Sequence, residues 1–235
     1  MEIHGIQKLT LLDYPGHTAC TVFLGRCNYR CPFCHNASLV LHPNDQPGVE
    51  SAELFTLLER RRGLLDGVCI TGGEPTLQRD LPELCAEIRE RGFLVKLDTN
   101  GTNPAMLASL TERGLVDYVA MDIKNSPERY PQTVGRQNLD LTPIRESAAF
   151  LLSGAVDYEF RTTVVREFHD GDCFRAIGAW IEGAKQYYLQ AFVARDTVLQ
   201  PGLSACTGAE MEHFAHILRP FVPNVALRGV DPEQK

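Results

Sequence analysis

Residues 27–36 read CNYRCPFCHN, and an apolar segment at residues 18–24 lies just before them. The apolar segment predicts a buried strand, so the cysteines, spaced C-x3-C-x2-C, lie in the loop that follows it. Local cysteine runs of this kind hold iron–sulfur clusters. Three thiolates leave one iron of a four-iron cluster without a protein ligand. Cys27, Cys31 and Cys34 therefore predict a metal centre that is open for chemistry.

A zinc site is the main alternative for these cysteines. Structural zinc takes four protein ligands, and the nearest further candidate is His35, directly after Cys34. Adjacent residues rarely bind one ion together, and no second C-x2-C pair follows in the sequence. A disulfide framework is disfavoured in a chain of 235 residues that begins without a secretory signal.

The composition is that of an ordinary globular chain. It has 235 residues, 44% of them hydrophobic and 23% charged, which fits one α/β domain over residues 1–235. A net charge of −7 disfavours nucleic acid as a partner. An apolar run of about 18 residues, which a membrane span needs, does not occur. Eight cysteines suit a reducing compartment, so we expect a cytoplasmic protein with no membrane partner.

Strand-like and helix-like segments alternate along the chain. Strands are predicted at residues 3–12, 18–24, 67–71, 93–98, 117–121, 158–165, 186–193 and 225–228. Helices are predicted at residues 52–62, 80–91, 104–113, 142–153, 172–183 and 207–218, the first with Ser51 as its N-cap. This alternation indicates βαβ units and a parallel sheet. Six units fit the chain length, whereas a complete eight-unit barrel needs about 250 residues.

Polar motifs follow three of the predicted strands. They are Gly72-Gly73-Glu74, Asp98-Thr99-Asn100 and Asp122-Ile123-Lys124. The carboxyl ends of parallel strands meet at one rim, so these side chains should converge there. Paired glycines permit close backbone approach to a ligand, and a carboxylate accepts bonds from an ammonium. Two close carboxylates repel unless Lys124 or a bound metal ion lies between them. Ordinary turns and surface ion pairs are the alternatives.

The cysteine motif, with the aromatic Phe33 before its last cysteine, resembles the radical S-adenosylmethionine (SAM) superfamily. The string LTLLDYPG at residues 9–16, with Cys27-Asn28 and Cys34-His35-Asn36, resembles the activating enzymes of glycyl radical enzymes. Within that group it is most similar to the activating proteins of anaerobic ribonucleoside-triphosphate reductase. That family commonly reads Gln-Gly-Cys where this chain reads Gly25-Arg26-Cys27. The resemblance covers nearly the whole chain and implies an incomplete (βα)6 TIM-like barrel.

The resemblance also implies a set of site residues. Cys27, Cys31 and Cys34 would hold a [4Fe–4S] cluster whose open iron binds SAM. The implied contacts to this cofactor are Phe33, Gly72, Gly73, Glu74, Asp98, Asn100, Asp122, Lys124, Arg161 and Gln190. Asp98, Thr99 and Asp122 would hold a monovalent cation beside the SAM carboxylate. The remaining five cysteines form no C-x2-C pair, so we expect one cluster only.

The implied reaction begins when a flavodoxin or ferredoxin gives one electron to the cluster. SAM then yields a 5′-deoxyadenosyl radical, which takes a hydrogen from a glycine of a partner enzyme, in particular the anaerobic ribonucleotide reductase. One alternative is a radical SAM enzyme acting on a small molecule, of the 7-carboxy-7-deazaguanine synthase type. That type usually ends its cysteine motif in Cys-Asp-Thr, unlike Cys34-His35-Asn36. A non-catalytic iron–sulfur electron carrier is the other.

Overall fold

The strands that the structure describes form one sheet in which neighbours in sequence are neighbours in space. The structure, a computed structural model, describes residues 2–230. Its strands are β1 (Ile3–Thr10), β2 (Ala19–Leu24), β3 (Gly67–Gly72), β4 (Leu94–Thr99), β5 (Tyr118–Asp122), β6 (Asp157–Val164), β7 (Tyr187–Ala191) and β8 (Val225–Arg228). β1 pairs antiparallel with β2, and every later pair is parallel. Within the described residues β1 and β8 are the two edges, which confirms an α/β fold with an incomplete barrel.

Helices connect the parallel strands. They are α1 (Ala37–Leu41), α2 (Ser51–Arg60), α3 (Leu81–Glu90), α4 (Pro104–Glu112), α5 (Tyr130–Thr133), α6 (Thr142–Leu152), α7 (Gly171–Trp180) and α8 (Gly208–Leu218). The six helices predicted from sequence are confirmed to within about three residues at each end. The short helices α1 and α5 were not predicted, because five and four residues are too few to show a helical period. No helix among residues 2–230 is long and apolar enough to cross a membrane.

The two faces of the sheet differ in chemistry. Cys20, Val68 and Val95 lie side by side in register and are fully buried in the core that includes the helices. Successive side chains of a strand point to opposite faces, so Lys96 and Asp98 of β4 lie on the inner face of the open barrel. The outer face is therefore the hydrophobic core, and the inner face carries charges up to the rim.

The N-termini of two helices differ from each other in how they are capped. Ser51 was predicted as the N-cap of α2, but that position belongs to Glu50, which makes no capping bond through its side chain. Thr207 caps α8 in full: its hydroxyl accepts from the Glu210 amide at 3.2 Å, and the Glu210 carboxylate accepts from the Thr207 amide at 2.6 Å. The Ser51 prediction is wrong because a serine one residue inside the helix no longer faces the free amides.

Substitution at these two positions should separate a true cap from an apparent one. Thr207→Ala should lower the free energy of unfolding by about 1 kcal/mol, because the capping box is lost. Ser51→Ala should change it by less than about 0.5 kcal/mol, since no capping bond is removed. Urea unfolding followed by circular dichroism measures both, and equal losses in the two variants would contradict the assignment.

Candidate active site

The carboxyl ends of strands β2 to β6 surround one open cavity. The volume of this cavity is about 210 Å³. The cavity is lined by nearly all the residues that sequence predicted for the site: Cys27, Cys31, Phe33, Cys34, Gly72, Gly73, Glu74, Asp98, Thr99, Asn100, Asp122, Lys124 and Arg161. The motifs after the strands therefore converge as expected.

Gln190 is the predicted site residue that does not line the cavity. It lies in β7, in register with Thr163 of β6, and Thr163 reaches the lining instead. The predicted contact of Gln190 with a cofactor stays a prediction. Phe192, just beyond β7, is buried as a core residue and stacks on His35 at 5.5 Å between ring centroids.

Hydrogen bonds from asparagine side chains hold the cysteine loop against the ends of the strands. Asn100 donates to the side-chain oxygen of Asn28 at 2.9 Å, and Asn28 donates to the Thr102 hydroxyl at 2.9 Å. Asn36 donates to the Gly72 carbonyl at 2.9 Å. Inside the loop, the Arg30 guanidinium donates to the carbonyls of Cys27 and Tyr29 at 2.7 and 2.6 Å. The loop is thus held by several bonds that do not need a ligand.

Sequence reasoning predicted Asn100 as a site residue but missed the others that hold the loop. Asn28 and Asn36 stood in the quoted motif, but a motif does not say what its amides bind. Thr102 carried no signal because its partner Asn28 is 74 residues away. The bonds of Arg30 to the Cys27 and Tyr29 carbonyls are local, but they depend on the conformation of the loop. The positions of the two asparagines could have drawn attention to them, since Asn28 directly follows Cys27 and Asn36 lies two residues after Cys34.

Arg26 has a left-handed backbone, with φ of 68°, and no other non-glycine residue of the described chain has a positive φ. Its amide donates to the Leu39 carbonyl at 2.9 Å, and its carbonyl accepts from the Glu74 amide at 2.7 Å. A Cβ on Gly73 would lie 1.8 Å from that carbonyl oxygen. The turn after β3 therefore requires this conformation of Arg26. Glycine would adopt this conformation without the steric cost that it has for arginine.

The carboxylate of Glu74 is buried and bonded within the protein. One oxygen accepts from the Thr76 amide and hydroxyl at 3.1 and 2.5 Å and from the Thr99 hydroxyl at 2.7 Å. Among residues 2–230, the other oxygen accepts only from the Asn100 amide, at 2.6 Å. Glu74 thus joins the turn after β3 to the end of β4, and its second oxygen keeps capacity for one more donor. Burial raises the pKa of Glu74, although these four donors oppose that rise.

Five charged side chains alternate in sign along the rim. Lys96 pairs with Asp98, and the Arg161 guanidinium lies between Asp98 and Asp122 at 3.0 Å from each. Lys124 bonds to the other oxygen of Asp122 at 2.9 Å. Burial alone would raise the pKa of Asp98, but Arg161 and Lys96 outweigh it and lower that pKa to about 2. Arg161 therefore supplies the positive charge that two neighbouring carboxylates need.

The predicted monovalent cation stays a prediction. The electrostatic reason for expecting it, repulsion between two carboxylates, is weaker in the structure than in the sequence. Arg161 already neutralises the repulsion between Asp98 and Asp122, the two carboxylates assigned to that cation. The third assigned ligand, Thr99, uses its hydroxyl to donate to Glu74 and to accept from the Gly101 amide at 3.1 Å. Lys96 was not predicted, because a charged residue within a strand is expected to face solvent.

Comparison with known proteins identifies the family. The Radical SAM superfamily model matches residues 21–142. A protein of Methanocaldococcus jannaschii with the provisional name glycyl-radical enzyme activating enzyme is 30% identical, over 97% of this chain and 96% of its own. The pyruvate formate-lyase-activating enzyme of Streptococcus mutans is 28% identical, over 58% of this chain and 56% of its own. Streptococcus suis SuiB, solved with bound S-adenosylmethionine, has a TM-score of 0.69 at 11% identity, over 89% of this chain and 52% of SuiB.

The fold and the site define an α/β-barrel enzyme that works at the carboxyl rim of a parallel sheet. The family model and the relative that matches over nearly the whole of both chains show that the chain belongs to the radical SAM superfamily. Enzymes of this superfamily use a [4Fe–4S] cluster and SAM.

The chemistry of the donors fits that cluster, because cysteine thiolates are the ligands that iron–sulfur clusters use. A cluster binds each thiolate to a different iron, which suits three cysteines spread around one cavity. Burial raises the pKa of Cys27 to about 11 and of Cys31 to about 12, so deprotonation needs the positive charge of iron.

The backbone strain at Arg26 should lower the free energy of unfolding, so its relief should be measurable. Arg26→Gly should raise the free energy of unfolding by about 0.5–1 kcal/mol, because relief of a left-handed arginine exceeds the entropy that glycine adds to the unfolded chain. The matched control Arg79→Gly should lower it by about 0.5–1 kcal/mol, since Arg79 has no positive φ to relieve. Denaturant unfolding of cluster-free protein tests both, and a loss in Arg26→Gly would contradict the strain.

We expect the alternating charges along the rim to stabilise the fold only while Arg161 is present. Arg161→Leu should lower the free energy of unfolding by about 3 kcal/mol at neutral pH, because Asp98 and Asp122 lose a shared partner while they stay buried. The pKa of Asp98 should then rise from about 2, so the difference from wild type should narrow as the pH falls towards 4. Arg166→Leu removes an exposed ion pair to Glu210 and should cost less than about 1 kcal/mol. A difference that widens in acid would contradict this account.

Proposed function

We propose that the protein generates a glycyl radical on a partner enzyme and that this partner is the anaerobic ribonucleoside-triphosphate reductase. The generation of a glycyl radical is supported by the similarity, over nearly the whole of both chains, to a Methanocaldococcus jannaschii protein provisionally named glycyl-radical enzyme activating enzyme. The partial likeness to a pyruvate formate-lyase-activating enzyme supports the same class. The reductase as partner is supported by the motif resemblance of residues 9–16 and 27–36.

Cys27, Cys31 and Cys34 would hold the cluster, and the adjoining cavity would hold SAM. When bound, this pair of cofactors supplies the one-electron chemistry that removes a hydrogen atom from carbon. The residues of the chain bind and orient it. The bonds of Asn100 and Asn36 fix the cysteine loop before any ligand arrives.

The charged rim suits an amino-acid ligand such as the methionine part of SAM. Three cations alternate with two carboxylates there, which leaves one positive charge to attract a carboxylate. The bonds of Arg161 use its Nε and Nη1 atoms, so Nη2 stays free of bonds to the described residues. Arginine is suited to carboxylate binding through such a planar donor. The free capacity of Glu74 suits the ammonium of the same ligand.

The mouth of the cavity is open, as an enzyme that acts on a polypeptide requires. His35 is an exposed residue of the cavity lining, and its Nε2 bonds to the Val193 carbonyl at 2.8 Å. A segment carrying the target glycine would enter here. We expect a flavodoxin or ferredoxin to supply the electron.

Electron paramagnetic resonance tests the proposal directly. Cluster-reconstituted protein, dithionite, SAM and the reductase are mixed without oxygen, and a glycyl radical doublet is expected on the reductase. The signal should vanish in Cys31→Ala, which loses a cluster ligand. It should persist in Cys85→Ala, which alters a buried cysteine of α3 outside the cavity.

The other outcomes separate the alternatives. If 5′-deoxyadenosine forms without a doublet, the reductase is the wrong partner, and a small-molecule substrate becomes the better explanation. If neither product forms although the reduced cluster is intact, the catalytic role itself is refuted and an electron carrier remains.

A further inference from the structure

His169 is a buried histidine whose two ring nitrogens both lie within hydrogen-bond distance of the main chain. It is 4% exposed and lies in the turn that follows β6. Nε2 lies 2.9 Å from the carbonyl oxygen of Lys124, and Nδ1 lies 3.1 Å from both the amide nitrogen and the carbonyl oxygen of Val165. A carbonyl only accepts, so Nε2 carries the proton and donates to Lys124. The ring thus ties the end of β6 to the segment after β5.

Aromatic rings hold the imidazole of His169 in this orientation. Phe174 of α7 stacks on it, with ring centroids 5.7 Å apart and ring planes 22° apart. Phe33 meets the imidazole edge-on, with centroids 6.5 Å apart, and also packs on Phe168 at 5.8 Å. Phe33 belongs to the cysteine loop and lines the cavity. The imidazole therefore has little freedom to turn, and its bond to the Lys124 carbonyl is fixed against the cysteine loop.

The main chain at Lys124 needs such support because it lies two residues beyond the end of β5. The parallel ladder of β5 with β6 ends at Asp122. Beyond the ladder, the Lys124 carbonyl is bonded to His169. The next residue, Asn125, is fully buried and donates through its side chain to the Phe168 carbonyl at 2.9 Å. The turn after β6 therefore takes over from the ladder in holding this segment.

The ammonium of Lys124 belongs to the site. It bonds to Asp122 at 2.9 Å, and Lys124 lines the cavity. The position of the Lys124 main chain determines where this ammonium lies. A buried histidine with both nitrogens bonded is often only a core residue. His169 differs because the acceptor of its Nε2 proton is the main chain of a residue in the cavity lining.

We propose that His169 is a positioning residue for SAM, and that its bond to the Lys124 carbonyl holds the Lys124 ammonium at the rim where SAM binds. This inference rests on the proposed function, because it takes the cavity as the SAM site. His169 itself does not line the cavity. It therefore acts through Lys124 and not by direct contact with the ligand.

Two substitutions separate the hydrogen bond of Nε2 from the packing of the ring. The amide nitrogen of His169→Gln takes nearly the place of Nε2, so this variant can still donate to the Lys124 carbonyl. The side chain of His169→Asn is one carbon shorter, so its amide reaches Val165 but not Lys124. Both variants lose the aromatic ring, so the loss of packing is matched between them.

The dissociation constant of SAM is measured by anaerobic equilibrium dialysis on cluster-reconstituted protein, without a reductant, so that no turnover occurs. Iron content and unfolding temperature are recorded for each variant. In His169→Asn the dissociation constant should rise between about three- and tenfold, which corresponds to one lost hydrogen bond. In His169→Gln it should stay within about twofold of wild type. Both variants should unfold at a lower temperature than wild type, because both lose the packing of the ring.

A double-mutant cycle tests whether the effect passes through Lys124. Lys124→Met removes the ammonium and should itself weaken SAM binding. Adding His169→Asn to Lys124→Met should raise the dissociation constant no further, because no ammonium is left to position. If the effects of the two substitutions were instead fully additive, the proposal would be overturned.

Three other results would also overturn it. Equal affinity for SAM in wild type and His169→Asn would show that His169 only packs the core. Equal losses in His169→Asn and His169→Gln would assign the effect to the ring. Wild-type protein that holds its cluster but binds no SAM would refute the proposed function together with this inference. By contrast, SAM binding that depends on His169 as described, in a protein that forms no glycyl radical, would refute the proposed reaction and support this inference.

Discussion

The guanidinium of Arg161 lies between the carboxylates of Asp98 and Asp122, and the rim of the sheet depends on this contact. It joins the ends of three successive strands, β4, β5 and β6. Without a cation between them, two buried carboxylates would separate or take up a proton. The strand ends would then lose the spacing that sets the width of the cavity. Because Arg161 comes from the strand itself, this rim is preformed before any ligand binds.

A second constraint links the cysteine loop to the same rim. The Glu74 amide donates to the Arg26 carbonyl, and the Glu74 carboxylate bonds to Thr99 and to the Asn100 amide. Asn100 in turn holds Asn28 within the loop. The strain at Arg26 is accepted because this set of bonds requires the carbonyl to point towards Glu74. The loop and the rim are therefore one bonded unit, and a shift in either would move the other.

Whether a feature of the fold or the site could be predicted from the sequence depends on how far apart in the chain the interacting residues lie. The strands, the six long helices and the convergence of the three rim motifs depend on local pattern and on the topology of parallel sheets. They were predicted correctly. The cap of α2 was misassigned by one residue, since a serine gives no sign of which way it points. The bidentate pair between Glu159 and Arg228 joins residues 69 apart, and no pattern of spacing reveals it.

That pair explains why the inner face of an open barrel can be charged. Complete barrels fill their interior with layers of branched apolar side chains. Here Glu159 is 0% exposed on the inner face of β6, where an unpaired charge would be very costly. Arg228 of β8 binds both of its oxygens at 2.7 and 2.8 Å, and Tyr118 donates to one at 3.0 Å. The edge strand β8 thus neutralises the interior below the site. The charged interior therefore depends on the last strand, since without Arg228 the fully buried carboxylate of Glu159 would have no cation beside it.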